Sequence, residues 1–220
     1  MKRLIRDNGL SITMFAIFAA CAVGLALVGL NTFNEEQLEH GQQPVGLLDY
    51  VASPDFGEAM FENWESEFLQ MGAYVLLTVF LFQRGSSESK DPDESKGPAD
   101  DPARKSRKRD APWPVRHGGL TLAIYRHSLS LALFSFFAFS FVLHLVTGAA
   151  KFSEEQLAHG GEPVTALQYL GTSQFWFESL QNWQSEFLAV GVLIVLSVFL
   201  RQKGSPESKR VAAPHVETGT

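Results

Sequence analysis

Cysteine is nearly absent: 220 residues hold one, Cys21, which excludes an internal disulfide and any cysteine-rich metal site. Chemistry-bearing patterns are missing too. The chain pairs no nucleophile with a base, has no strong metal-ligand spacing and no phosphate-binding glycine loop, so no enzyme activity, cofactor or metal is expected. Positive charge is missing locally. Between Thr32 and Glu67 there is no Lys or Arg but nine acids, and Phe152 to Glu186 has five acids and no base. Charge of either sign is absent from Leu10 to Leu30.

That last gap decides the class, because roughly 20 apolar residues cross a bilayer. Three more apolar blocks follow, Phe68 to Phe82, Ser128 to Ala150 and Phe187 to Leu200, although the mean hydropathy is near zero. The second and fourth blocks are short and need the residues before them to complete a span. Lys2, Arg3 and Arg6 before an apolar run imitate a signal peptide, and Phe18-Ala19-Ala20-Cys21 imitates a lipoprotein cleavage site. Apolar sequence continues past Cys21 to Leu30, longer than a signal core, so retention as a span is expected.

One stretch is written twice, Asn63-Trp64-Glu65-Ser66-Glu67-Phe68-Leu69 and Asn182-Trp183-Gln184-Ser185-Glu186-Phe187-Leu188. The offset of 119 residues holds without a gap from Phe33/Phe152 to Lys90/Lys209, which reads as a tandem duplication. The expected divisions are a two-span repeat over 1–85, a disordered linker over 86–114, a second two-span repeat over 115–205 and a disordered tail over 206–220. Short cytoplasmic segments carry excess Lys and Arg, so the two acidic loops lie outside. The N-terminus, the linker with Arg104-Lys105-Ser106-Arg107-Lys108-Arg109 and the tail then lie in the cytoplasm. Two spans per repeat give both halves one orientation, related by a pseudo-two-fold axis along the membrane normal. The basic cluster meets anionic headgroups in this reading rather than nucleic acid.

Each outside loop carries helix signals. Asn34 or Ser153 reads as an N-cap with Gln37 or Gln156 three positions on, and Glu35, Glu36, Glu154 and Glu155 as first-turn acids. His40-Gly41 and His159-Gly160 read as that helix's end; a divalent-cation site at Glu36 and His40 is the lesser alternative. Pro44 and Pro163 mark a second short helix. A third begins at Ser53-Pro54 or Thr172-Ser173 and meets no breaker before Gly85 or Gly204. On it Phe56, Met60, Trp64 and Phe68 form an apolar stripe expected to face inward, with Asp55, Glu58, Glu62 and Glu65 on a solvated face. Trp64 and Trp183 are expected as interfacial anchors. His144 is expected to bond a neighbouring helix.

The paired F-x-E-E-Q-L-x-H-G, the N-W-x-S-E-F-L entry and the G-S-x-E-S-K exit resemble an uncharacterised family of bacterial multi-pass membrane proteins known only as a domain of unknown function. The resemblance implies a bacterial inner-membrane location and lends no activity.

The expectation is an all-α membrane protein of four transmembrane helices in two parallel tandem repeats, with short amphipathic helices in two outside lobes. Its candidate polar site lies at the membrane entry, Asn63 and Glu67 with Asn182 and Glu186. Asn63 and Glu67 are four apart and share a helix face, so Glu67 is expected inward, where a carboxylate costs a few kcal/mol unless paired, protonated or wet. Two functions follow: an interaction or envelope-structural module with acidic outward lobes, whose partners are the bilayer and a second copy or another membrane protein, or a small-solute or ion transporter or channel with its site at the repeat interface.

Overall fold

The structure, a computed structural model, describes residues 2–93 and 111–219. Among the described residues it is all-helical: α1 (Lys2–Glu39), α2 (Leu47–Val51), α3 (Pro54–Leu77), α4 (Trp113–His117), α5 (Gly119–Tyr125), α6 (Ser128–Ala158), α7 (Ala166–Leu170) and α8 (Ser173–Phe199). Three of them, α1 from Ile5, α6 and α8, are long and apolar enough to cross a membrane, and their apolar windows are almost wholly unburied by protein. Side chains such as Leu10 and Phe15 stand exposed along them. Helix α3 is not among the three, since five acids stand in its opening turns (Asp55, Glu58, Glu62, Glu65, Glu67). The chain forms two compact units, Met1–Phe61 with Leu143–Phe175, and Glu62–Val142 with Trp176–Thr220. Each takes segments from both halves of the sequence.

In the first unit the expected helix starts at Asn34 and Ser153 do not occur. Helices α1 and α6 run through both positions. Apart from a kink in α1 at Asn8 (φ −130°, ψ 18°), nothing before them breaks the helix, and extending an existing helix by one hydrogen bond is easier than nucleating another. The two polar side chains clamp the returning loop instead. Asn34 Oδ1 accepts from Val45 N at 2.7 Å while its Nδ2 donates to Val45 O at 3.1 Å, and Ser153 Oγ accepts from Val164 N at 3.0 Å. The clamp also explains why the short helices begin later than Pro44 and Pro163. Val45 and Val164 are held at the clamp, so α2 and α7 start only after Gly46 and Thr165. Thr165 makes a reciprocal cap with Gln168.

The helix ends at His40-Gly41 and His159-Gly160 are as expected. Both glycines turn left-handed, at φ 70° and 77°, and the next residues' N–H groups reach back to Gln37 O and Gln156 O. Ser53 and Thr172 cap α3 and α8 by accepting from Phe56 N and Phe175 N, each at 3.3 Å. The core is a pair of aromatic knots 119 residues apart. Tyr50 lies between Phe33 and Phe56, ring centroids 5.4 and 5.5 Å away, and Tyr169 between Phe152 and Phe175 at 5.5 and 5.6 Å. Each Tyr ring packs on the bare backbone of a glycine, Gly29 or Gly148.

The second unit reverses the expected orientation of α3. The acid-bearing face is the buried one: Glu65, Ser66 and Gln70 are buried, as is Glu58 earlier on the same helix, whereas Asn63 and Glu67 are exposed. An apolar face turned inward is the rule for helices bathed in water. Here the polar groups are kept among protein partners instead, the Trp183 indole donating to Glu65. The apolar packing in this unit is local, with Phe68 stacked on Phe136 (centroids 5.1 Å apart) and Phe134 against Gly72.

Helix α3 also ends sooner than its lack of breakers implies. At Leu77 its hydrogen bonds tighten to Val79 N→Leu76 O and Phe80 N→Leu77 O. The chain then folds back, so that Glu88 reaches Tyr74; a continuous helix would hold residues 14 apart about 21 Å from each other. Gly85 and Gly204 turn two matching exit loops at φ 84° and 88°, closed by Gln83 N→Ser89 Oγ (2.9 Å) and Gln202 N→Ser208 Oγ (2.8 Å).

The tail, expected to be disordered, is tied down. Lys209, 2 % exposed, donates from its ammonium to the carbonyls of Pro214, His215 and Glu217, and Gly219 N donates to Ser86 O at 2.9 Å. A cage of backbone carbonyls leaves no compositional trace, which is why the tail reads as unstructured. Of the expected disordered linker, residues 94–110 lie outside the described residues. Its first residues form the exit loop, and Trp113 and Pro114 open α4.

Candidate functional site

Polar groups recur along one ridge of α3 at intervals of four, Glu62, Ser66, Gln70 and Tyr74, and Thr78 continues the spacing in the turn just past its end. Sixteen residues of helix cover about 24 Å, most of the thickness of a hydrocarbon core. Beside the ridge, the wholly buried Glu65 accepts from Trp183 Nε1 at 3.0 Å. Trp183, expected as an interfacial anchor, is thereby bound to a buried carboxylate, and Trp64 is half-buried. An oxygen of Glu62 lies within 4.8 Å of one of Glu178.

The sequence-derived site is assembled in part. Glu67 and Glu186 come within electrostatic reach of each other, Glu67 standing one residue before the apolar run. Its side chain nonetheless reaches the surface of the bundle, as does Asn63. The inward acids are Glu65 and Glu58, both assigned from the sequence to a solvated face. The backbone carbonyls of Asn63 and Asn182 accept from Ser66 and Ser185 Oγ at 2.8 Å each. At the other end of the unit a second pair related by the 119-residue offset meets, Glu88 and Glu207. Burial raises Glu88, hydrogen bonding to Tyr74 lowers it, and Glu207 raises it again.

Next to this pair lies a cavity of about 270 Å³. Its polar lining includes Gln70, Tyr74, Thr78 and Glu88, and its apolar walls include Phe187 and Ile194. Tyr74 Oη donates to Glu88 Oε2 at 3.0 Å. The signal that could have found it is the four-residue polar ridge, hidden inside a run read as apolar.

The first unit holds a larger cavity, about 500 Å³, lined by Glu36, His40, Glu155 and His159 together with Glu154 and Lys151. Each imidazole has Nδ1 2.8 Å from the carbonyl four residues earlier, Glu36 O or Glu155 O. That contact fixes the ring as a helix-end donor. No three of the cavity's imidazole and carboxylate groups converge within 4.8 Å of one another, so a compact metal centre is not built there. Lys151, overlooked in the sequence because it stands one residue before the acidic stretch, pairs with Glu58 at 2.5 Å and Asp55 at 3.4 Å. His144 is fully buried and stacks on Phe175, centroids 5.0 Å apart.

A family model described as "Domain of unknown function (DUF6766)" matches residues 1–220. No curated protein and no solved structure matches the chain.

Proposed function

From the premise that the chain belongs to this family of unknown function, we propose that the protein is a multi-pass membrane protein whose second unit admits a small cationic solute. The reading takes α3 as a fourth span, with two tandem repeats of two spans and both termini on the cytoplasmic side of a bacterial inner membrane. One observation carries it: the interior-facing side of α3 is polar and acidic, with Glu65, Ser66 and Gln70 buried. Buried polar groups in a span are costly and mark ion and substrate paths. A scaffold would be more stable with apolar residues there.

Proteoliposomes test the reading. Purified protein should take up K⁺, Na⁺, methylammonium or phenethylammonium selectively over protein-free vesicles. Glu65→Gln, which keeps an acceptor for Trp183, should cut that uptake at least fivefold without altering thermal stability. Uptake equal to that of protein-free vesicles for all four cations removes the proposal. A second reading, an interaction module, draws on the acidic cavity of the first unit. A cationic partner protein captured through Glu36 and Glu155 would support it.

A further inference from the structure

We infer that the cavity in the second unit is a binding site for a small organic ammonium ion with an apolar body, held by Glu88 and Gln70. The inference deepens the proposed passage of a cationic solute by naming the class of solute and the place where it rests.

Four observations carry it. Gln70 is 5 % exposed, lines the cavity, and its carboxamide makes no hydrogen bond with a described residue. Such a group, left dry and unpartnered, costs about 1–3 kcal/mol, and an acyl chain filling the space would leave it so. The sign of the ligand follows from the lining, which holds the Glu88 carboxylate and neither Lys nor Arg. The Tyr74 hydroxyl donates to Glu88 Oε2 and the Glu207 carboxyl lies against the same group, so an ammonium arriving here also offsets the repulsion between two acids. The size follows from the volume: about 270 Å³ is far more than a bare metal ion needs and sits at the small end of ligand pockets, enough for roughly ten non-hydrogen atoms. Phe187, Val190, Ile194 and Leu77 give it an apolar side that an inorganic cation would not use.

The site is single rather than duplicated. By the 119-residue offset Gln70 and Tyr74 correspond to Ala189 and Leu193, which carry no polar group. One ligand per chain is therefore expected.

The test is calorimetric titration of the full-length protein in nanodiscs with phenethylammonium, and with 3-phenylpropanol and 3-phenylpropionate as uncharged and anionic counterparts. Phenethylammonium should bind at one per chain, and the other two at least tenfold more weakly. Glu88→Gln and Gln70→Leu should each lower the amine's affinity at least tenfold, while Glu36→Gln, in the other unit, leaves it unchanged. If Gln70→Leu does not fold, Glu88→Gln in the exit loop carries the test alone. Equal binding of amine and alcohol, or amine binding indifferent to Glu88→Gln, would identify a lipid-filled apolar cavity and overturn the site; so would no amine binding at all. Amine binding without any cation flux overturns the passage and leaves the site standing. Flux of K⁺ or Na⁺ without amine binding does the reverse.

Discussion

Lys151 shows how much one charge can decide at the scale of a residue. It is the only base near the acidic surface of the first unit among the described residues, about a third exposed, and it answers the buried Glu58 and the half-buried Asp55. Removing one partner of a buried pair strands the other charge, at about 3–5 kcal/mol when both are fully buried. Exposure of the Lys151 stem reduces this toward the smaller values of surface pairs. Lys151→Met should therefore destabilise the protein by about 1–3 kcal/mol, and Glu58→Gln by less, since Lys151 keeps Asp55. Thermal unfolding in detergent orders the two variants. Equal melting temperatures for Lys151→Met and the parent would show that the pair contributes nothing. The pair was not legible in the sequence, because 93 residues separate its members.

At the scale of an element, the close approach of a tyrosine ring to a helix backbone sets where each returning loop lands. A Cβ on Gly148 would stand 2.7 Å from Tyr169 Cε1, and the buried ring has no free space to retreat into. Overpacking of this kind costs about 1–3 kcal/mol. Gly148→Ala should lower the melting temperature of the detergent-solubilised protein measurably, whereas Gly24→Ala, with no atom within 4 Å of the new methyl, should leave it unchanged or raise it slightly through helix propensity. The same loss in both variants would mean that the ring is not what the glycine accommodates. The ends of α1 and α6 were legible here because the His-Gly signal is local. The starts were not, since a capping pattern in the middle of a helix looks identical to one at its beginning, and only the presence of Val45 beside Asn34 shows which role the side chain takes.

For the whole molecule, orientation is the consequence that can be checked most directly. Reporter fusions after Gly85 and after Lys209 should both report cytoplasm, and one after Gln43 the outside. An outside signal at Gly85 would mean that α3 does not cross, and the passage proposed along its polar face would then have no membrane to traverse. That outcome turns on α3 alone, the helix whose acids keep it from reading as a span by composition.

What the sequence by itself determined is whatever depends on neighbours along the chain: an all-helical membrane class from the uncharged runs, the recurrence of helix ends 119 residues apart, and the glycine-turned ends and exits. The tertiary structure alone decided which side of α3 faces inward, where the tail rests and which carboxylates meet. The reason is physical. Periodicity states which residues share a face, and it is the same whether that face meets water or the interior of a bundle in lipid. The medium on each side is set by the helices packed around it, and so Glu65 and Gln70, rather than Trp64 and Phe68, came to lie innermost.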